Sequence, residues 1–172
     1  MRNKIINTIA ILVVFLANTV SAQSIFQGTW EYQQGNEIFR VILWEDDRDG
    51  STNLINGHYE KVTVQSNGEE TFIYCSDKEK FQDSNKGWLP FVISLKQDGN
   101  KLSGSIVDNT VDSSLYHPLK SGQLRTEIIS NTGGNNPVIT MSWKVNRDEG
   151  IMIKESPEYS IPVDVILTKV ID

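Results

Sequence analysis

The 172-residue chain has one cysteine, Cys75, and two histidines, His58 and His117. A single thiol cannot form an intramolecular disulfide, so the chain is not a disulfide scaffold. Two scattered histidines and no second cysteine leave no ligand pair at zinc spacing. Basic residues are also short: 16 Lys and Arg stand against 22 Asp and Glu, for a net charge of −6. Binding a phosphate backbone needs a Lys/Arg footprint, which argues against nucleic acid as a partner and equally against an anionic membrane surface. Past the first 22 residues no apolar run is long enough to span a bilayer as a helix. A nucleophile-elbow Gly-x-Ser-x-Gly is missing, and Ser103-Gly104-Ser105 reads as a strand with a glycine bend. No nucleophile, base and orienting group can be assembled from the residues that remain, so no enzymatic activity and no cofactor are expected.

The N-terminus has the three parts of an export signal. Arg2 and Lys4 supply positive charge, Ile9 to Ala17 an apolar core, and Val20-Ser21-Ala22 the small residues read by a signal peptidase. Cleavage before Gln23 would leave 150 residues and move the net charge from −6 to −8. The expectation is one soluble domain over residues 23–172, periplasmic or secreted, with 1–22 removed. Cys75 ends the strand-like run Thr71-Phe72-Ile73-Tyr74-Cys75 and reads as a buried apolar filler.

The mature region alternates strand and turn. Strands are expected at Gly28–Gln33, Glu37–Trp44, Ile55–Val64, Glu70–Cys75, Pro90–Lys96, Lys101–Asp108, Leu124–Ile129, Val138–Asn146 and Val163–Val170. Asn67-Gly68 and Asp98-Gly99 mark tight hairpin turns, because both residue types tolerate positive φ. Period-two alternation points Trp30, Phe39, Val41, Leu43, Met141 and Trp143 inward. The only helical candidate is a turn or two at Asp77–Gln82. Short strands that can pair in chain order favour a single antiparallel up-and-down β-barrel of about 8–10 strands, with an open β-sandwich as the alternative.

Gly28-Thr29-Trp30 on the first strand resembles the Gly-x-Trp opening of lipocalin-like and avidin-like barrels. The Gln34-Gly35 turn, the Phe39-Arg40-Val41 strand and Asn56-Gly57-His58-Tyr59-Glu60 extend the likeness to an avidin-type barrel. The avidin ligand chemistry does not carry over: Tyr32 and Asn36 replace the Asn and Ser that contact ligand there, and only Tyr59 matches. The whole chain resembles a domain-of-unknown-function family of short exported Bacteroidota proteins, through Gly28-Thr29-Trp30, Gly35-Asn36-Glu37-Ile38-Phe39 and Gly57-His58-Tyr59. In lipocalin-like folds a basic side chain near the last strand commonly covers the first-strand Trp. Here Lys169 shares parity with Val163, Val165 and Leu167, so Gly28, Trp30 and Lys169 are expected to pack at one barrel end, with the first and last strands paired.

Aromatics supply the binding candidates. After cleavage four Trp, five Tyr and five Phe remain, ample for a small barrel, and Trp88, Tyr59 and Trp143 are the expected contacts to a small, partly apolar ligand in the barrel or at its mouth. A second possibility is a protein-interaction or hydrolase-inhibitor module with an envelope partner, since Ile38, Ile42 and Trp44 give the second strand an apolar outer face as well. Glu45, Asp47, Asp49 and Gly50 fall at the first, third, fifth and sixth positions of a calcium loop, a weak candidate because the twelfth position is Asn56.

Overall fold

The computed structural model describes residues 24–46, 53–77, 91–110, 120–134, 137–147 and 158–171. Nine antiparallel strands follow one another: β1 (Gly28–Gln34), β2 (Glu37–Glu45), β3 (Leu54–Val64), β4 (Glu70–Cys75), β5 (Ile93–Asp98), β6 (Lys101–Asp108), β7 (Lys120–Asn131), β8 (Ile139–Arg147) and β9 (Asp164–Lys169). Gly68 and Gly99 take φ of +84° and +60° at the two expected hairpin turns, which a residue with a Cβ adopts only under strain. Two strand starts differ from expectation by more than one residue. β5 begins at Ile93 rather than Pro90, and β7 begins at Lys120 rather than Leu124. The Lys120-Ser121-Gly122-Gln123 stretch has no apolar alternation to betray it, yet Lys120 and Gly122 occupy buried positions.

Eight strands close into a ring. β1 pairs β2, β2 pairs β3, β3 pairs β5, and pairing then runs in order through β9, which returns to β1 with Trp30 opposite Lys169. Closure removes the edges of the sheet and excludes the open sandwich. The ninth strand, β4, lies outside the ring. The long β3 divides one edge between two partners: Leu54–Gly57 pair with β5, while Glu60–Val64 pair with β4.

The interior is packed with rings and branched aliphatics. Trp30, Phe39, Val41, Leu43, Met141 and Trp143 all point inward as expected and are buried. The Phe39 ring stands 5.7 Å from Trp143 and 6.0 Å from Tyr59, and Tyr59 meets Tyr74 edge-on at 6.2 Å. Such offset and edge contacts are the arrangement in which aromatic rings pack inside a small barrel. β6 crosses close to β5, where a Cβ on Gly104 would collide with the Ser94 carbonyl oxygen; the bend expected at Ser103-Gly104-Ser105 is a close-approach point.

One end is sealed by Trp30, whose indole N–H donates to the Phe26 carbonyl at 2.7 Å. At the other end the segment 158–162 lies across the opening. Ile161 is buried there, and Trp143 donates its indole N–H to the Pro162 carbonyl at 2.8 Å. The fully buried carboxylate of Asp108 holds this segment. It accepts from the Ser160 amide at 2.7 Å, from the hydroxyls of Ser160 and Thr110, and from the Tyr59 hydroxyl at 2.8 Å. Charge-assisted bonds of this kind roughly double a neutral bond in strength.

A hollow on the outer wall

A hollow lies on the outer wall beside the divided edge of β3. β4 leaves β3 after Cys75 and β5 joins it only at Gly57, so the wall forks between them. Ser76 bridges the fork. Its amide donates to the Tyr59 carbonyl at 2.9 Å, and its hydroxyl accepts the Tyr59 amide proton at 2.8 Å. Outward-facing side chains of β2, β3 and the end of β4 then line a concavity of about 250 Å³: Ile42, Trp44, His58, Glu60, Cys75 and Asp77, with Tyr59 beneath.

Register explains the gathering. Ile42 stands opposite His58 and Arg40 opposite Glu60 across β2 and β3, while Glu60 stands opposite Cys75 across β3 and β4. Parity puts all of these on the outer face. The rings of Trp44 and His58 lie 5.5 Å apart, and His58 Nδ1 is 3.3 Å from the Ser76 hydroxyl. One side of the hollow is therefore aromatic and aliphatic, and the other carries an imidazole, a thiol and two carboxyls.

Below it sits a four-residue ion cluster. Arg40 donates to Glu31 at 2.7 Å, to Glu60 at 2.8 Å and to Glu70 at 2.9 Å, tying β1, β2, β3 and β4 together. The Glu70 hydrogen bond, with those of Glu60 and Glu31, outweighs the cost of burial and raises the guanidinium pKa above its ordinary value. Glu60, itself buried, thus faces the hollow already engaged by Arg40.

The residues expected to bind or seal are placed as follows. Tyr59 and Trp143 come together around Phe39, but both rings are buried in the core, and only Tyr59 also borders the hollow. Trp88, His117, Asp47, Asp49 and the Lys78–Gln82 part of the helical candidate lie outside the described residues, as does the segment expected to be an export signal. Glu45 accepts the Ser24 amide at 2.7 Å, and Asp46 accepts from Asn56 at 2.6 Å. No three His, Cys, Asp or Glu among the described residues converge on a metal position. Cys75 is buried as expected of a filler, yet its strand end lies at the hollow's edge.

The barrel end is as the lipocalin-like resemblance and the parity of Lys169 together imply. Lys169 Nζ stands 5.6 Å from the Trp30 ring centre and donates to the Ile25 carbonyl at 2.7 Å. Gly28, at φ +118°, passes beneath the lysine stem, where a Cβ would come within 3.3 Å of Lys169 Cε.

Neither Trp44 nor Asp77 stands out in the sequence as a site residue. Trp44 has one signal, the apolar outer parity of β2; Asp77 has none, because the fork that presents it is a long-range feature.

Comparison with known proteins places the chain in a family of unknown function (DUF6705), whose model matches residues 3–170. No curated protein and no solved structure matches it.

Proposed function

We propose that this DUF6705 member is an exported, non-enzymatic binding module that holds a small, partly apolar ligand on its outer wall. The observation that carries this reading is the contrast between a packed interior and the hollow beside Trp44. Phe39, Tyr59 and Trp143 occupy the lumen, whereas Ile42, Trp44, His58, Glu60, Cys75 and Asp77 surround about 250 Å³. Sites for drug-sized molecules run to roughly 300–1,000 Å³, so this volume suits something smaller. An apolar wall opposite a few polar groups is the usual composition of such sites. Export rests on the N-terminal 22 residues with their basic start, apolar core and small-residue end.

A second reading draws on the same wall. Ile38, Ile42 and Trp44 lie on the outer face of β2, all half-buried and with Arg40 between the two isoleucines, which also suits a protein-interaction or inhibitor module with an envelope partner. Native mass spectrometry of the protein purified from its own host separates the two. A ligand in the hollow gives a small-molecule adduct that Ile42→Arg, placed to fill the space, abolishes. Bare mass in both proteins contradicts the ligand reading, and a co-purifying protein in place of the adduct favours the second.

A further inference from the structure

The hollow beside Trp44 sorts its lining by chemistry. Its apolar groups, Ile42 and Trp44, stand on β2, whereas its acids stand on β3, as Glu60, and just past the end of β4, as Asp77. Trp44 lies opposite Asn56, Ile42 opposite His58 and Arg40 opposite Glu60, so indole and carboxylate also take opposite ends of the wall. Among the described residues that line the hollow there is no lysine and no arginine. The guanidinium that reaches Glu60 comes from Arg40 and is shared with Glu31 and Glu70. Three carboxylates thus meet one cation, their sum stays negative, and Asp77 adds to it. Glu60 is 4% exposed, where water screens its charge less than at an open surface.

On the reading that this hollow holds the ligand, we propose that the ligand is a small organic cation: an amine whose ammonium meets Glu60 and Asp77 while its apolar body lies against Ile42 and Trp44. An ammonium suits both sides of the hollow. It donates charge-assisted hydrogen bonds to carboxylates, and it is attracted to the face of an aromatic ring. The His58 ring, 5.5 Å from that of Trp44, extends the aromatic side. An anion of the same size is opposed by both acids and by the negative sum behind them, in a chain whose net charge of −6 has the same sign. A hard metal ion is poorly matched. Calcium takes roughly six to eight oxygen ligands, whereas no three His, Cys, Asp or Glu among the described residues converge on one position.

Three probes of one shape and different charge test this: phenethylamine, phenethyl alcohol and phenylacetate, each titrated into the full protein while the Trp44 indole signal is followed by ¹H–¹⁵N NMR. At about pH 8 a histidine of ordinary pKa is neutral. The expected result is a saturable shift with the amine at a dissociation constant about tenfold or more below that of the alcohol, and no shift with phenylacetate. Asp77→Asn should remove about fivefold of the amine's advantage, with an unchanged thermal midpoint showing that the barrel is intact. Added salt should shrink the same advantage in the parent protein, which checks the charge without any substitution. Alcohol or phenylacetate bound as tightly as the amine overturns the cation and leaves the hollow standing as a ligand site. An advantage that neither salt nor Asp77→Asn diminishes contradicts the carboxylates as its source and also overturns the proposal. No shift with any of the three overturns both the cation and the hollow.

Discussion

Lys169 Nζ stands 5.6 Å from the centre of the Trp30 ring, and the two residues also face each other across the seam between the last strand and the first. One residue pair thus closes the barrel twice, through backbone pairing and through a cation held over an indole face. A lysine on an inward face is tolerated because its stem packs over Gly28 and its ammonium reaches the Ile25 carbonyl.

Replacing Lys169 by Met keeps the stem and removes the charge, which should cost about 1 kcal/mol from the lost cation–π contact and hydrogen bond. Trp30→Ala empties the sealed end and should cost roughly 3–5 kcal/mol. Urea denaturation of both variants and of the double mutant checks the pair. A lysine effect that persists unchanged when Trp30 is absent shows that the two are not coupled.

Deleting residues 163–172 removes β9 and exposes the edges of β1 and β8 together. The truncated protein should lose its cooperative thermal transition, because an opened barrel presents two unpaired edges and an uncovered core. A retained sharp melt near the parent midpoint contradicts closure through this strand.

Asp108 is not singled out by pattern, since an acid at a strand end reads as solvated. In the fold it is fully buried, and it organises Tyr59, Thr110 and Ser160. Asp108→Ala leaves these donors without their acceptor and should destabilise by about 3 kcal/mol or more. Ser160→Ala, which keeps the amide bond to the carboxylate, should cost about 1 kcal/mol. Denaturation midpoints give the ranking.

Burial and the charge of Asp108 push the phenols of Tyr59 and Tyr74 above their ordinary value of 10. The unfolded chain therefore releases these protons first as pH rises. Their stability contribution is fully present below pH 10 and is lost as pH climbs above it. Tyr59→Phe and Tyr74→Phe should each flatten the alkaline fall in stability. Lys169 acts in the opposite sense: burial lowers its pKa from 10.5, so its contribution rises with pH in the window just below that value. Denaturation curves from about pH 8 to 11 distinguish the three.

Cys75 is 5% exposed. Its thiol should resist a disulfide-exchange reagent in the native state and react within minutes once urea unfolds the chain. Rapid native labelling would show that the fork opens on its own.

The parts of the fold set by short-range pattern were legible in the sequence. Alternation in Glu37–Trp44 and Ile139–Val145 separated inward from outward residues, Asn67-Gly68 and Asp98-Gly99 marked turns, and the parity of Lys169 against Val165 and Leu167 turned it inward, while its place over Trp30 came from the resemblance to lipocalin-like barrels. Features made by non-local pairing were not. The single edge of β3 is divided between β4 and β5, and no local signal shows where one partner stops and the next begins. The hollow between Trp44 and Asp77 depends on that division. Trp143 and Tyr59 are large aromatics that a sequence cannot assign to core or to ligand, and packing around Phe39 takes both into the core.

Four tryptophans make the location of ligand binding measurable in one spectrum. Trp44 borders the outer hollow, Trp30 seals one end, and Trp143 fills the interior. The indole N–H of Trp30 is bonded to Phe26 and that of Trp143 to Pro162. Two-dimensional ¹H–¹⁵N NMR of the indole groups, recorded while the low-molecular-weight extract of host cells is added, reports on each site separately. The expected result is a saturable shift of the Trp44 indole signal with Trp30 and Trp143 unmoved. A shift of Trp143 with Trp44 unmoved would put the ligand inside the barrel and contradict a binding site on its outer wall.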